Sequence, residues 1–137
     1  MGLTDPGMAN EPIDSQLTRQ FILKHIDSVP QLEALLLLWN SSPRFWSATE
    51  VAERLYISPR SAKVILQDLT QRQLLQSFPE TEAYFYQPSS EEQDRLIAAV
   101  DETYRKEIVS ISTMIYSKAS RAVRDFAQAF KFTKERE

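Results

Sequence analysis

The spacing of apolar residues along the chain predicts a series of amphipathic helices. Apolar side chains recur every three or four residues between positions 14 and 26, at Leu17, Phe21, Ile22 and Ile26, which predicts a first helix. Ser28 begins a capping-box pattern, so we expect a second helix from there to about Trp39. Leucines cover nearly every side of this second helix, which predicts that it lies at the centre of the core.

Residues 47–75 predict a helix-turn-helix. Ser47 and Glu50 form a second capping box ahead of a short helix, and residues 56–58 make the turn. Ser58 then caps a second helix that begins at Pro59, where the missing N–H has no cost, and extends to about residue 72. Its apolar face is Ala62, Ile65, Leu66 and Leu69. A polar outer face after so short a turn is typical of a helix that enters the DNA major groove.

The remainder of the chain predicts a hairpin and a long helix. Residues 75–78 and 83–87 are short β-prone runs on either side of the tip Pro79-Glu80-Thr81-Glu82, and residues 44–46 suit a further short strand. A helix from Ser90 onward, with a break near residues 117–120, carries a long apolar stripe. We assign to a dimer or partner interface Leu96, Val100, Tyr104, Ile108, Ile111, Ile115, Phe126 and Phe130.

These elements predict a mainly α fold with a small β-hairpin, a winged helix-turn-helix followed by a long C-terminal helix. We divide the chain into a disordered N-terminal tail at 1–13, a winged helix-turn-helix domain at 14–88 and a C-terminal helix with a basic amphipathic end at 89–137. The helix-turn-helix region is electrically neutral, since residues 44–88 hold five basic and five acidic side chains, and the whole chain carries −3.

Composition excludes several kinds of chemistry. The 137 residues include no cysteine, so disulfides, zinc–thiolate sites and cysteine nucleophiles are excluded. His25 is the only histidine, and the carboxylates show no ligand spacing, so we predict no metal, no cofactor and no enzyme activity. The chain has no signal-peptide pattern and no apolar run near the roughly 20 residues of a membrane span, so we expect a cytoplasmic protein.

A family resemblance rests on Glu50-Val51-Ala52-Glu53-Arg54-Leu55, Ile57-Ser58, Leu66, Leu69 and Leu74-Leu75. This pattern resembles the winged-helix cores of bacterial transcription regulators, and the order of its elements over residues 30–115 is similar to that of the MarR-type group. The resemblance implies a homodimer held by its terminal helices.

The chain departs from that family pattern in its turns and in its wing. The family pattern has glycine at the helix-turn-helix turn and before the wing, where this chain has Tyr56 and Gln73, so we expect turns of a different build. The family wing carries arginine, whereas this one has Glu80 and Glu82, which would repel phosphate. We therefore expect the wing to be a poor reader of DNA.

Two hypotheses about function follow. The first is a homodimeric transcription regulator that reads double-stranded DNA through Arg60, Ser61, Lys63, Val64, Gln67 and Gln71. The alternative is a protein-interaction module without sequence-specific DNA binding, with a protein partner on the C-terminal helix, which the neutral charge and the acidic wing favour.

Two further hypotheses, membrane binding and a ligand pocket, are weighed against ordinary packing. The basic amphipathic segment 118–134 suits a membrane surface, but packing of its phenylalanines on its own body or on a dimer mate is the favoured explanation, so membrane binding is not expected. Six aromatic residues would either pack the hairpin or line a small-ligand pocket. They are Phe45, Trp46, Phe78, Tyr84, Phe85 and Tyr86.

Overall fold

The computed structural model describes the backbone of residues 15–136 and the side chains of residues 15–129. The tail predicted to be disordered, residues 1–13, lies outside the described residues. The elements in chain order are α1 (Ser15–His25), α2 (Val29–Asn40), α3 (Ala48–Leu55), α4 (Pro59–Gln71), β1 (Gln76–Phe78), β2 (Ala83–Phe85), α5 (Glu91–Lys106) and α6 (Ile108–Arg136). The predicted fold class, mainly α with a small hairpin, is confirmed.

Helix α2 lies at the centre of the core, as its leucine pattern predicts. Ser28 caps it by accepting a hydrogen bond from the Gln31 N–H at 3.2 Å, and Leu32, Leu35 and Leu38 are completely buried. Helix α1 buries Thr18, Phe21 and Ile22 against the same core. Leu17 was predicted to join that stripe but is 54% exposed, because the core-facing side of α1 runs through Thr18 instead.

The helix-turn-helix begins and ends where the local signals predict. Both hydrogen bonds of the Ser47–Glu50 capping box are present, at 3.1 and 2.9 Å, and Ser58 accepts the Ser61 N–H at 3.0 Å. These bonds satisfy N–H groups that the first turn of each helix leaves without an intrahelical partner.

The prediction that the two turns would be built differently is wrong. Tyr56 ends α3 in the left-handed region at φ 59°, and Gln73 lies at φ 66° before the wing, which are the conformations that glycine adopts readily. Each costs roughly 1 kcal/mol for a residue with a Cβ. The Tyr56 side chain is 94% exposed, so no clash with the body adds to this cost.

The hairpin that we call the wing, Gln76–Phe85, consists of β1 and β2. The strands are antiparallel, with Ser77 opposite Tyr84. Trp46 adds a short bridge on the other side of Tyr84, with reciprocal N–H···O bonds of 2.7 Å, where a short first strand was predicted. The sheet therefore stands directly beside the helix-turn-helix.

The C-terminal segment is two helices, and the break lies at Glu107 rather than near residues 117–120. Glu107 ends α5 with its N–H bonded to Thr103 O at 2.9 Å, and α6 starts at the next residue. An unbroken helix over both segments would run roughly 70 Å in one direction. The bend lets Ile111 and Ile115 of α6 join the core that buries Val100 of α5. In the described part of the chain, no helix is long and apolar enough to cross a membrane.

Candidate nucleic-acid interface

Helix α4 presents one broad exposed face. Its opposite side is fixed by Ala62, Leu66 and Leu69, which are fully buried against α2 and α3. The structure places on the exposed side all six residues predicted to contact DNA, Arg60, Ser61, Lys63, Val64, Gln67 and Gln71. We call these six residues the reading face. They combine two cations and two amides with Val64, which is 60% exposed.

The wing stands beside the reading face and encloses a groove with it. The groove has a volume of about 640 Å³ and is lined by Lys63, Gln67, Gln71, Ser77, Phe78 and Glu82, among others. A second hollow of about 330 Å³ lies next to it and is lined by Arg60, Thr81 and the start of α3. Lys63, Glu82 and Tyr84 line both hollows and so lie between them.

An acidic residue of the wing pairs with the reading face. The Glu82 carboxylate lies 3.6 Å from the Lys63 ammonium, and both side chains remain more than half exposed. Glu82 lies in the turn between the strands at φ 52°. The structure thus places a carboxylate against one of the two cations of the reading face.

Two arginines that sequence reasoning did not assign lie next to this region. The Arg44 guanidinium carbon is 3.8 Å from the Trp46 ring centroid, and that of Arg54 is 5.2 Å away. Arg44 also lies 3.7 Å from a Glu50 oxygen. Both arginines contact Trp46 because the β-bridge holds Trp46 beside the wing. The charge count over residues 44–88 could not predict these contacts.

Arg72, the residue after α4, is partly buried and contacts the turn between α1 and α2. Its guanidinium donates to the His25 carbonyl and to the Asp27 carboxylate, both at 2.5 Å, and lies 3.1 Å from Asp68. The other Asp27 oxygen accepts from the Lys118 ammonium at 3.0 Å. We call this cluster of Asp27, Arg72 and Lys118 the Asp27 junction. It joins the end of α4, the turn between α1 and α2, and helix α6.

Charge neutralisation at the junction changes the acidity of Asp27. The hydrogen bond from Arg72 is the main reason that the pKa of Asp27 lies below its ordinary value, and Lys118 contributes in the same direction. Asp68 belongs to the same network, since Gln31 Nε2 donates to it at 2.7 Å. These carboxylates are therefore engaged by partners within the fold.

His25 has a structural environment. Its ring lies 4.7 Å from that of Phe21, and burial, followed by the nearby Lys24, Arg72 and Lys118, lowers its pKa. Within the described residues, no three histidine, aspartate or glutamate side chains are close enough together to hold a metal ion.

The six aromatic residues considered as a pocket lie on opposite sides of the wing sheet. Trp46, Tyr84 and Tyr86 are buried in the core, where burial and a hydrogen bond to Asp94 raise the pKa of Tyr86. Phe45, Phe78 and Phe85 pack together on the outer side, with ring centroids 4.8 to 5.2 Å apart. Because the sheet separates the two groups, they do not form one ligand pocket.

The predicted interface stripe on α5 and α6 needs correction. Val100, Ile111 and Ile115 are almost fully buried within the chain's own core, so they are not available to a partner. Leu96 and Tyr104 are partly buried against that core. The reason is that the bend at Glu107 folds α5 and the start of α6 onto α1 and α2.

Exposed apolar residues of α6 form a different stripe. Ile108 and Phe126 of the predicted set are 51% and 74% exposed, whereas the Phe130 side chain lies outside the described residues. Val109, Tyr116 and Val123, which were not assigned, are each at least 67% exposed. We call Val109, Tyr116, Val123 and Phe126 the α6 stripe. The seven-residue spacing of its first three members was the sequence signal for it.

The described part of the basic segment 118–134 has one residue that contacts the body of the protein, followed by exposed residues. Lys118 belongs to the Asp27 junction and donates to the Leu23 and Ile26 carbonyls at the end of α1. Arg121 and Arg124 are exposed, as is every side chain from Ala119 to Ala129. Phe126 does not pack on the body of its own chain, so that part of the favoured explanation is wrong.

Comparison with known proteins gives similar solved structures. Sco5413 of Streptomyces coelicolor, a MarR family transcriptional regulator, is 21% identical, with 93% of this chain and 99% of that chain covered and a TM-score of 0.46. ZitR of Lactococcus lactis in complex with DNA is 15% identical, with 99% and 100% covered and a TM-score of 0.44. A cysteine-to-serine mutant of ZitR in complex with DNA is also 15% identical over the same shares, with a TM-score of 0.43.

No protein-family model matches the chain, and no curated protein matches it. The assignment of a winged helix therefore rests on the elements of this chain: α3, the turn at Tyr56, α4 and the wing beside it.

Proposed function

We propose that this chain is a DNA-binding transcription regulator that reads the major groove with α4. The observation that carries the proposal is the reading face, six exposed side chains on a helix whose other side is packed on α2 and α3. Arginine can bind guanine edges, glutamine can bind adenine edges, and an exposed valine suits the thymine methyl group. Helix α3 supports α4 from behind, as in helix-turn-helix proteins.

Local charge around α4 supports the proposal better than the regional sum does. Arg54 and Arg60 add exposed positive charge around the helix-turn-helix, whereas the charge of Arg44 is offset by Glu50. The acidic Asp27 and Asp68 are paired with Arg72 behind it. Phosphate attraction depends on the charges within about a Debye length, roughly 8 Å at physiological salt, more than on the net charge of the chain.

We further propose that the active form is a homodimer, with the α6 stripe in its interface. The stripe has the seven-residue repeat of helices that pack in pairs, and its members are exposed in the single chain. Two copies related by a two-fold axis would present two reading faces to successive turns of the duplex, so the operator would be a palindrome.

Selection from random duplex DNA tests the proposed DNA reading. The purified protein is incubated with a random duplex pool at two salt concentrations, and the bound DNA is amplified and sequenced. We expect an enriched palindrome whose affinity falls steeply with salt, because phosphate contacts release counterions. No enrichment at low salt from protein shown to be folded by circular dichroism would refute DNA reading.

Light scattering on matched α6 variants tests the dimer. Phe126→Asp places a charge on the α6 stripe, and Gln128→Asp places the same charge on another exposed side of the same helix. We expect Phe126→Asp to shift the molar mass toward the monomer at micromolar concentration, while Gln128→Asp stays dimeric. If both variants keep the dimer mass, the α6 stripe is not the interface.

A second candidate function is a protein-interaction module. The observation in its favour is the outer side of the wing, where Phe45 and Phe78 are 50% and 46% exposed and pack against Phe85. An apolar contact of this kind should depend little on salt. Failure of DNA selection would therefore move the search for function to this aromatic side and to the α6 stripe.

A further inference from the structure

The wing turn places a carboxylate where the proposed function needs an unoccupied cation. Lys63 is in the second turn of α4 and lines the groove between helix and wing. A phosphate entering the groove would be attracted to its ammonium, but the Glu82 carboxylate is already 3.6 Å from it. A carboxylate and a phosphate oxygen compete for the same ammonium, since both are anionic hydrogen-bond acceptors.

The backbone of the wing turn maintains this position. Thr81 closes the turn by donating its N–H to the Phe78 carbonyl at 3.2 Å. Glu82 then takes the left-handed conformation at φ 52°, and Ala83 pairs with Phe78 in the sheet. The turn thus carries Glu82 back toward α4. Glu80, two residues earlier in the same turn, is exposed and serves as an internal comparison.

We propose that Glu82 is a specificity-determining residue of the DNA site, an internal competitor that suppresses sequence-independent phosphate binding by Lys63. This inference rests on the proposed function. Phosphate contacts supply most of non-specific affinity, whereas base contacts decide between sequences. Neutralising one cation inside the groove should therefore weaken binding to random DNA more than binding to the operator, which the base contacts of Arg60 and Gln67 also hold.

The proposal predicts a particular change when the competing charge is removed. Glu82→Gln keeps the shape of the side chain and frees Lys63 for phosphate. We expect affinity for a random-sequence duplex to rise about three- to tenfold at 50 mM salt, with a salt slope steeper by about 0.9, the value for one additional phosphate contact. Affinity for the selected operator should rise by a smaller factor, because base contacts also hold that complex, so the ratio of operator to random affinity should fall. An unchanged ratio would overturn the role of Glu82 in specificity.

The experiment is fluorescence anisotropy with both duplexes over a range of salt concentrations. Glu80→Gln is the matched control, because it removes the same charge from the same turn at a residue that does not line either hollow. Lys63→Gln and the double variant complete a double-mutant cycle. We expect Glu80→Gln to change affinity less than twofold, and the effect of Glu82→Gln to disappear when Lys63 is absent.

The outcomes separate this inference from the proposed function. Equal effects of Glu82→Gln and Glu80→Gln, or an undiminished effect of Glu82→Gln without Lys63, would overturn the role of Glu82 and leave DNA binding intact. If neither wild-type protein nor Glu82→Gln binds either duplex at low salt while circular dichroism shows both folded, both proposals fail. Binding by Glu82→Gln alone would support both.

Discussion

Neutralising Asp27 should destabilise the fold by more than its position on the surface suggests. The Asp27 carboxylate accepts from Arg72 at 2.5 Å and from Lys118 at 3.0 Å, and so connects α4 to α6 through the turn after α1. Asp27→Asn keeps the side-chain shape and removes the charge that both cations share. The variant therefore tests the junction with little change in packing.

The expected magnitude follows from exposure at the junction. The Asp27 side chain is 54% exposed, while Arg72 and Lys118 are 26% and 31% exposed, so water screens each pair only in part. Exposed ion pairs contribute about 0.2–1 kcal/mol each, and both partners here are more buried than that class. We therefore expect Asp27→Asn to lower the free energy of unfolding by about 1–2 kcal/mol. Glu102→Gln should cost less than about 0.5 kcal/mol, because its pair with Lys106 is exposed on both sides.

The pH dependence of this effect has a definite sign. The pKa of Asp27 is lowered in the folded protein, chiefly by the hydrogen bond from Arg72. Its contribution to stability is therefore fully present above the ordinary aspartate pKa of about 4 and is lost as the pH falls through the lowered value. The difference in unfolding free energy between wild type and Asp27→Asn should therefore become smaller over that acidic range.

Urea unfolding followed by circular dichroism measures this difference in unfolding free energy. Wild type, Asp27→Asn and Glu102→Gln are compared at one protein concentration and several pH values, because a dimer's stability depends on concentration. Two results would refute the reasoning. One is equal midpoints for Asp27→Asn and Glu102→Gln at neutral pH. The other is a difference in unfolding free energy between wild type and Asp27→Asn that stays constant as the pH is lowered to the point of acid unfolding.

Three further predictions concern the helix-turn-helix. Leu66→Ala should cost about 2–5 kcal/mol in urea unfolding because Leu66 is completely buried, whereas Val64→Ala on the exposed face should cost less than about 0.5 kcal/mol. Tyr56→Gly should raise the thermal midpoint, because glycine adopts the left-handed backbone without the cost of roughly 1 kcal/mol that a Cβ brings. Glu53→Gly, inside α3, should lower the midpoint. A lower midpoint in both variants would contradict the strain at Tyr56. Arg60→Ala should weaken binding to the selected operator by about 1–3 kcal/mol in anisotropy titrations, while Lys106→Ala, on α5, should leave it unchanged; equal operator affinity in Arg60→Ala and wild type would remove Arg60 from the site.

Local patterns in the chain are enough to predict where most helices begin and which side of each is apolar. Ser28, Ser47, Ser58 and Ser90 each cap the helix that the local pattern predicts, because a cap bonds an N–H only two or three residues away. The burial of Ala62, Leu66 and Leu69, opposite the exposed reading face, follows likewise from helical periodicity. These features depend on neighbours in the chain.

The contacts of the apolar residues in the C-terminal segment depend on how the helices pack, which local patterns do not specify. Ile111 and Tyr116 lie on different sides of α6, and the bend at Glu107 brings the side with Ile111 into the core and leaves Tyr116 72% exposed. Contacts between distant residues were likewise beyond the pattern, including Lys63 with Glu82, and Asp27 with Arg72 and Lys118. Periodicity records only that one side of a helix is apolar, whereas its partner is set by how the helices pack together in space.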